Sequence, residues 1–114
     1  MRTLKFRVFD GKEMEHFTLS RLYWRGEEFG DYNFPENEEV MQFTGLLDKN
    51  GKEIYEGDVM KTVYEGIVTV IFRIGAFWCT GEKLNINIPV YEFVQDGECE
   101  VIGNIYENKE LINT

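Results

Sequence analysis

The chain has 114 residues, 43% hydrophobic and 15% aromatic, with 11 glycines and 2 prolines. That is the size of one domain and too apolar for a disordered tail, and glycines between short apolar runs favour tight turns over long helices. Twelve Lys and Arg against 21 Asp and Glu leave a formal net charge of −9, which argues against direct nucleic-acid binding because phosphate neutralisation needs clustered cations.

Leu4-Lys5-Phe6-Arg7-Val8 alternates apolar and basic residues, the period of a strand with one buried face. Asp10-Gly11 supplies a turn, and residues 13–19 read as the returning strand, with Phe17 and Leu19 on one face. Tyr23-Trp24 continues this sheet, and residues 26–39, acidic and aperiodic with Pro35, read as a long loop. Val40 to Thr44 is a strand with Met41 and Phe43 on one side. Asp48-Lys49-Asn50-Gly51 is a hairpin turn, since glycine after asparagine supplies the positive φ that such turns need. Gly57-Asp58-Val59 reverses the chain into a strand reaching Val63, and Tyr64-Glu65-Gly66 turns it again.

Residues 67–72 are apolar apart from Thr69 and read as the central strand, with 76–80 returning beside it after Gly75. Leu84, Ile86 and Ile88 alternate with asparagines as in a strand until Pro89 interrupts, and 90–94 are read as a further strand in preference to a helical turn. Asp96-Gly97 turns into a strand over 100–106, and 107–112 has a short helical look with Asn108 placed to cap it. Short strands separated by turns indicate a mainly β fold: a small pseudo-barrel of antiparallel hairpins, SH3-like in its C-terminal part, with at most short helical turns. Residues 1–114 read as a single domain, divisible into lobes 1–47 and 48–114 that share one core.

Few residues announce chemistry. His16, the only histidine, reads as a surface strand residue, because neighbours on a strand point to opposite faces and Glu15 is poorly placed to orient it. Asp58 reads as a turn residue that bonds nearby backbone amides, and Glu53 and Glu56 read likewise, since no second carboxylate or nucleophile stands at a telling distance. Gly103, inside a strand, marks a bulge or a close backbone approach. Cys79 and Cys99 follow no metal-ligand spacing and read as reduced thiols, with a disulfide open to them if their strands pair. No Walker, Rossmann, zinc or nucleophile-elbow pattern occurs, so neither cofactor nor metal is expected. The binding candidates are aromatic. Phe77 and Trp78 face opposite sides of one strand, so one belongs to the core and the other is free as a recognition anchor, and Tyr91 beside Phe93 forms a second patch.

Three blocks carry a resemblance: Lys5-Phe6-Arg7-Val8-Phe9-Asp10; Met41-Gln42-Phe43-Thr44-Gly45-Leu46 with its continuation through Asp48-Lys49-Asn50-Gly51 to Gly57-Asp58; and Val101-Ile102-Gly103-Asn104-Ile105-Tyr106-Glu107-Asn108. In this order they resemble the YopX family of phage and prophage proteins over nearly the whole chain, with Lys109 standing where similar members are expected to carry proline. The resemblance implies a small cytosolic protein of phage or prophage origin, predominantly β, with no established enzymatic activity and no catalytic residues to carry over. The expectation is therefore a non-catalytic, cytoplasmic binding or assembly module that engages a phage or host protein or a second copy of itself. A membrane association is not expected, since no apolar run approaches the roughly 18 residues of a spanning helix. Two alternatives stand beside it: an acidic decoy that imitates nucleic acid, which needs its carboxylates gathered on one face, and a nucleic-acid-binding small barrel, which needs a basic groove.

Overall fold

The computed structural model of the chain describes residues 4–18, 40–84 and 86–111; the expected strand at Tyr23-Trp24 and the loop over 26–39 lie outside them. β1 (Lys5–Phe9), β2 (Met14–Thr18), β3 (Val40–Leu47) and β4 (Glu53–Tyr55) form a four-stranded sheet in the order β2-β1-β3-β4. β5 (Asp58–Thr62), β6 (Ile67–Arg73), β7 (Ala76–Thr80), β8 (Ile88–Pro89) and β9 (Cys99–Asn104) form a five-stranded sheet in the order β8-β7-β6-β5-β9. Helix α1 (Val90–Gln95) links β8 to β9, and a 3-10 turn (Lys109–Leu111) follows. All the pairings are antiparallel.

The mainly β expectation holds, with the SH3-like strand order in the C-terminal part: a meander, one helical turn, then a last strand returning beside the first. No barrel closes. β8 has only two residues before the chain coils into α1, and Pro89 has no N–H to extend a ladder, so among the described residues β8 and β9 remain open edges. The chain passes from one sheet to the other at Glu56-Gly57.

β6 occupies the centre of its sheet as expected, but only one face is fully buried: Val68 and Val70 point into the core while Phe72 is half-exposed. The core gathers Met60, Val68, Val70, Cys79, Val90, Phe93, Cys99 and Val101 with Ile54 from the four-stranded sheet, so the two sheets share it. Both cysteines are buried there as free thiols, and burial pushes Cys79 up to about 12.

Residues 90–94 are a helix and not a strand. Val90, Phe93 and Val94 fall at the i, i+3, i+4 spacing that lays one helical face on the core. The α1 end is closed by a Schellman pair, with the Gly97 amide donating to the Val94 carbonyl at 3.1 Å and the Glu98 amide to Phe93 at 3.0 Å. The strand expected from Leu84 onward shrinks to Ile88–Pro89, and Leu84 instead closes a turn on Gly81.

Two irregularities shape the strands. In β3 the register against β4 slips between Phe43 and Leu47, and the Thr44 hydroxyl repairs the gap by donating to the Ile54 carbonyl at 2.7 Å and accepting the Leu46 amide at 3.1 Å. In β9 Ile102 is extra, since Val59 pairs with Gly103 and Met60 with Val101. Gly103 is also a close approach, as read from the sequence: a Cβ there would stand 2.5 Å from Asn108 Oδ1 and 2.8 Å from Leu111 Cδ1. Asn108 does not use its side chain to cap the 3-10 turn; its Oδ1 accepts the Asn104 amide at 3.1 Å.

Asp48 ties the hairpin loop to the far sheet. Its buried carboxylate accepts the Asn50 and Lys52 amides at 2.8 and 2.9 Å and the Val101 amide of edge strand β9 at 2.9 Å. Burial pushes this carboxyl up, but the three amides outweigh it and hold it below the usual aspartate value. A depressed folded-state pKa means stability that is present above the unfolded value of about 3.9 and is lost as pH falls through the folded one. Asp48→Asn is therefore expected to flatten the acid limb of the stability curve, measured by urea unfolding between neutral and strongly acidic pH. Gly57, at φ 88° with Met41 Sδ only 2.8 Å from any added Cβ, is a position where any side chain is strained. Gly57→Ala should lower the unfolding free energy by about 1–3 kcal/mol, read as a lower urea midpoint at unchanged slope.

Candidate functional site

The sequence candidates fall in three places. Phe77 packs partly against the core and meets its cross-strand partner Phe72 edge-on at 5.0 Å between centroids. Trp78, on the other face of β7, is half-buried, and its indole N–H donates to the Arg73 carbonyl at 2.8 Å. Tyr91 projects from α1 and is 55% exposed, while Phe93 is core. The register sets Trp78, on the second strand of the sheet, opposite Pro89 of edge strand β8, two residues before Tyr91, and Phe77 faces inward.

The hairpin between β6 and β7 ends in a two-residue turn, since Arg73 and Ala76 are paired. Its central residues are Ile74 at φ 51° and Gly75 at φ 73°, the type I′ geometry for which Asn-Gly is the usual choice. Ile74 is the one non-glycine residue with positive φ among those described, and it is 88% exposed. A β-branched residue in the left-handed region is strained by about 1–2 kcal/mol. Phe72, two residues earlier, is 50% exposed, so the hairpin tip presents two apolar side chains on either side of the exposed Arg73.

The second site lies where the sheets join, and the sequence reading missed it. Arg7, expected on the polar side of β1, is buried. In register it stands opposite His16 of β2 and Met41 of β3, so all three share the sheet face that meets β5 and β9. One guanidinium nitrogen, Nη2, donates to Asp58 Oδ1 at 2.7 Å and to the Glu56 carbonyl at 3.1 Å, and the group lies 4.8 Å from the Tyr55 ring centre. Asp58 turns its other oxygen to the Tyr55 amide at 2.7 Å, so the turn role read for it is correct and is joined by an ion pair that spans the two sheets. Arg7 and Asp58 are 51 positions apart and no local pattern links them; the nearest hint was an arginine in a strand facing a glycine-aspartate reversal.

Around this pair runs a groove of about 390 Å³, lined by Met14, His16, Glu53, Tyr55, Asn104 and Glu107 among others. A hollow of about 300 Å³ continues past His16 and Tyr55 toward Lys5 and Thr18. His16 sits edge-on to Tyr55 at 5.3 Å. Partial burial and the nearby Arg7 charge push its imidazole below its ordinary value, so it is neutral at pH 7. Burial and the adjacent Glu53 carboxylate push the Tyr55 phenol up to about 12. Each carboxylate of the groove already accepts a bond: Asp58 from Arg7 and Tyr55, Glu53 from Lys5 and the Tyr55 hydroxyl, Glu107 from the Asn104 amide group. Among the described residues no group of three or more His, Cys, Asp or Glu converges as a metal site.

Burial raises the Asp58 carboxyl, and the Arg7 guanidinium and the Tyr55 amide offset this only in part. The pair therefore resembles other buried ion pairs, where losing one partner is worse than losing both. Arg7→Met and Asp58→Asn alone are each expected to remove about 3–5 kcal/mol, and the double variant, which keeps an acceptor for the Tyr55 amide, should recover much of that loss in thermal or urea unfolding.

The chain is similar to the crystal structure of protein EF1440 from Enterococcus faecalis, with a TM-score of 0.62 and 26% identity over 96% of this chain and 98% of that one. No curated protein matches it. The model of the family described as YopX protein matches residues 5–113, which take in both sheets, the joint at Gly57 and the closing 3-10 turn, and the chain therefore belongs to the YopX family.

Proposed function

We propose that this YopX-family chain is a non-catalytic protein-binding module whose docking element is the tip of the β6–β7 hairpin. Ile74 carries the reading: an apolar β-branched side chain is held 88% exposed at φ 51°, where asparagine or glycine would relieve strain. Strain kept at a solvent-facing apex serves what the side chain touches, and an exposed isoleucine beside a half-exposed phenylalanine fits an apolar pocket on another protein. Trp78, bonded to the Arg73 carbonyl beside the tip, and the exposed Tyr91 of α1 extend the same kind of contact. The family's phage and prophage association makes a phage or bacterial host protein, or a second copy of the chain, the class of partner.

Ile74→Asn separates the two roles of the residue. It should raise stability by about 1 kcal/mol, read as a higher urea midpoint, because an Asn-Gly turn removes the left-handed strain. The same variant should lose the partner that the wild type retains in affinity capture from lysate of phage-infected cells. Equal capture by the two proteins would sink the proposal, as would a wild type that captures nothing and sediments strictly as a monomer.

A further inference from the structure

The hairpin tip shares its sheet with a hollow at the opposite end of β6. Val68 and Val70 point into the core, so Ile67, Thr69, Ile71 and Arg73 lie on the outer face by alternation. The register adds Thr80 opposite Thr69 and Trp78 opposite Ile71 on that face. At the Ile67 end, Gly66, Ile67, Thr69, Thr80 and Leu111 line a hollow of about 340 Å³, and the exposed Glu82 and Lys83 complete its walls.

Charge on this face is confined to its two ends. From Ile67 to Gly81 the sequence holds one charged residue, Arg73, in a chain that is 29% charged. Arg73 is exposed beside the tip. At the hollow, Lys61 lies on the β5 side as the partner of Ile67, and Lys83 runs over Gly66, with its Cδ 3.2 Å from where a Cβ would stand there. Glu82 is the carboxylate of the hollow, on the β7 side. One end of the strip therefore presents an isoleucine knob with a cation, and the other an apolar hollow with an anion, which is the complementarity that fixes an interface in register.

The spacing favours a second copy as the occupant. Ile67 to Arg73 spans about 20 Å at the rise of a strand. That span is the same in every copy, so two copies laid face to face with their β6 strands antiparallel bring both knob-and-hollow contacts together at once, the condition for a closed twofold interface. Arg73 of each then arrives at Glu82 of the other, and the half-buried Ile71 and Trp78 lie between. We infer that the outer face of the five-stranded sheet is the interface of a twofold dimer, with Ile74 of each copy seated in the hollow of the other. This rests on the reading of the tip as the docking element and names a second copy of the chain as its partner.

Sedimentation equilibrium of the full chain over a range of concentrations is expected to show monomer and dimer and no larger species. Ile74→Asn should weaken the dimer about tenfold. Arg73→Glu and Glu82→Arg alter exposed side chains, and each should weaken it as much, because both contacts then set like charges together. An equimolar mixture of those two variants should regain the dimer, since opposite charges meet at both contacts, whereas a side chain acting only within its own copy gains nothing from mixing. A strictly monomeric wild type would overturn the inference, as would assemblies beyond a dimer, a dimer indifferent to Ile74→Asn, or a mixture no tighter than its components. A monomeric wild type that still captures a phage or host protein through Ile74 removes the dimer alone and leaves the tip as the docking element.

Discussion

The fold turns on one ion pair. Arg7 belongs to the first strand of the four-stranded sheet and Asp58 to the first strand of the five-stranded sheet, and their contact at 2.7 Å, almost out of reach of water, fixes how the two sheets meet. The chain crosses beside it through Glu56-Gly57, where the Gly57 amide donates to Val70 at 2.8 Å and its carbonyl accepts the Ile105 amide at 2.9 Å. Arg7 Nη2 would stand 3.7 Å from a Cβ at Gly57, so the crossing is packed directly against the guanidinium. A buried ion pair is a weak source of stability but a strong source of geometry, because either charge alone is heavily penalised and only one arrangement satisfies both.

Carboxylates do structural work throughout this acidic chain. Asp48 gathers three amides from its own loop and from β9, which also covers part of an open edge, and the Lys49 amide covers more by donating to the Cys99 carbonyl at 3.1 Å. Asp58 gathers one amide and one guanidinium, and Glu53 a lysine and a phenol. These acids are committed to the interior and its margins, so the net charge of −9 is not the same thing as an acidic face. Charge counted along a sequence therefore says little about the field a partner meets, until each carboxylate has been assigned to the inside or the outside.

Local stability and surface use conflict at the hairpin tip. β6 and β7 are well paired through five registered positions, and Trp78 locks the end by donating to the Arg73 carbonyl. A ladder that strong holds a strained apex in place, which is the general condition under which unfavourable backbone geometry persists. The groove differs in kind. There the anomaly is a polar one, a buried guanidinium with a donor to spare.

The sequence by itself determined the local grammar. Alternation set β1, β2 and β3, the Asn-Gly and Asp-Gly pairs set the turns, the apolar run at 67–72 set the central strand, and Gly103 marked both a bulge and a close approach. These are short-range matters in which neighbouring residues decide φ, ψ and facing. It also carried the family, through three ordered blocks. The residues of α1 were misread because a short apolar run bounded by Pro89 suits strand or helix equally, and only the core at Val90 and Phe93 chose between them. The barrel failed to close because two residues of β8 are too few to recruit β9, a fact of pairing that no local pattern states. Tertiary structure alone decided that Arg7 is interior and that Asp58 is its partner, since the two meet across a sequence separation that no periodicity spans. It alone decided, too, that Ile74 would stand at an apex in a left-handed conformation, because the pairing of Arg73 with Ala76 leaves two residues to make the turn.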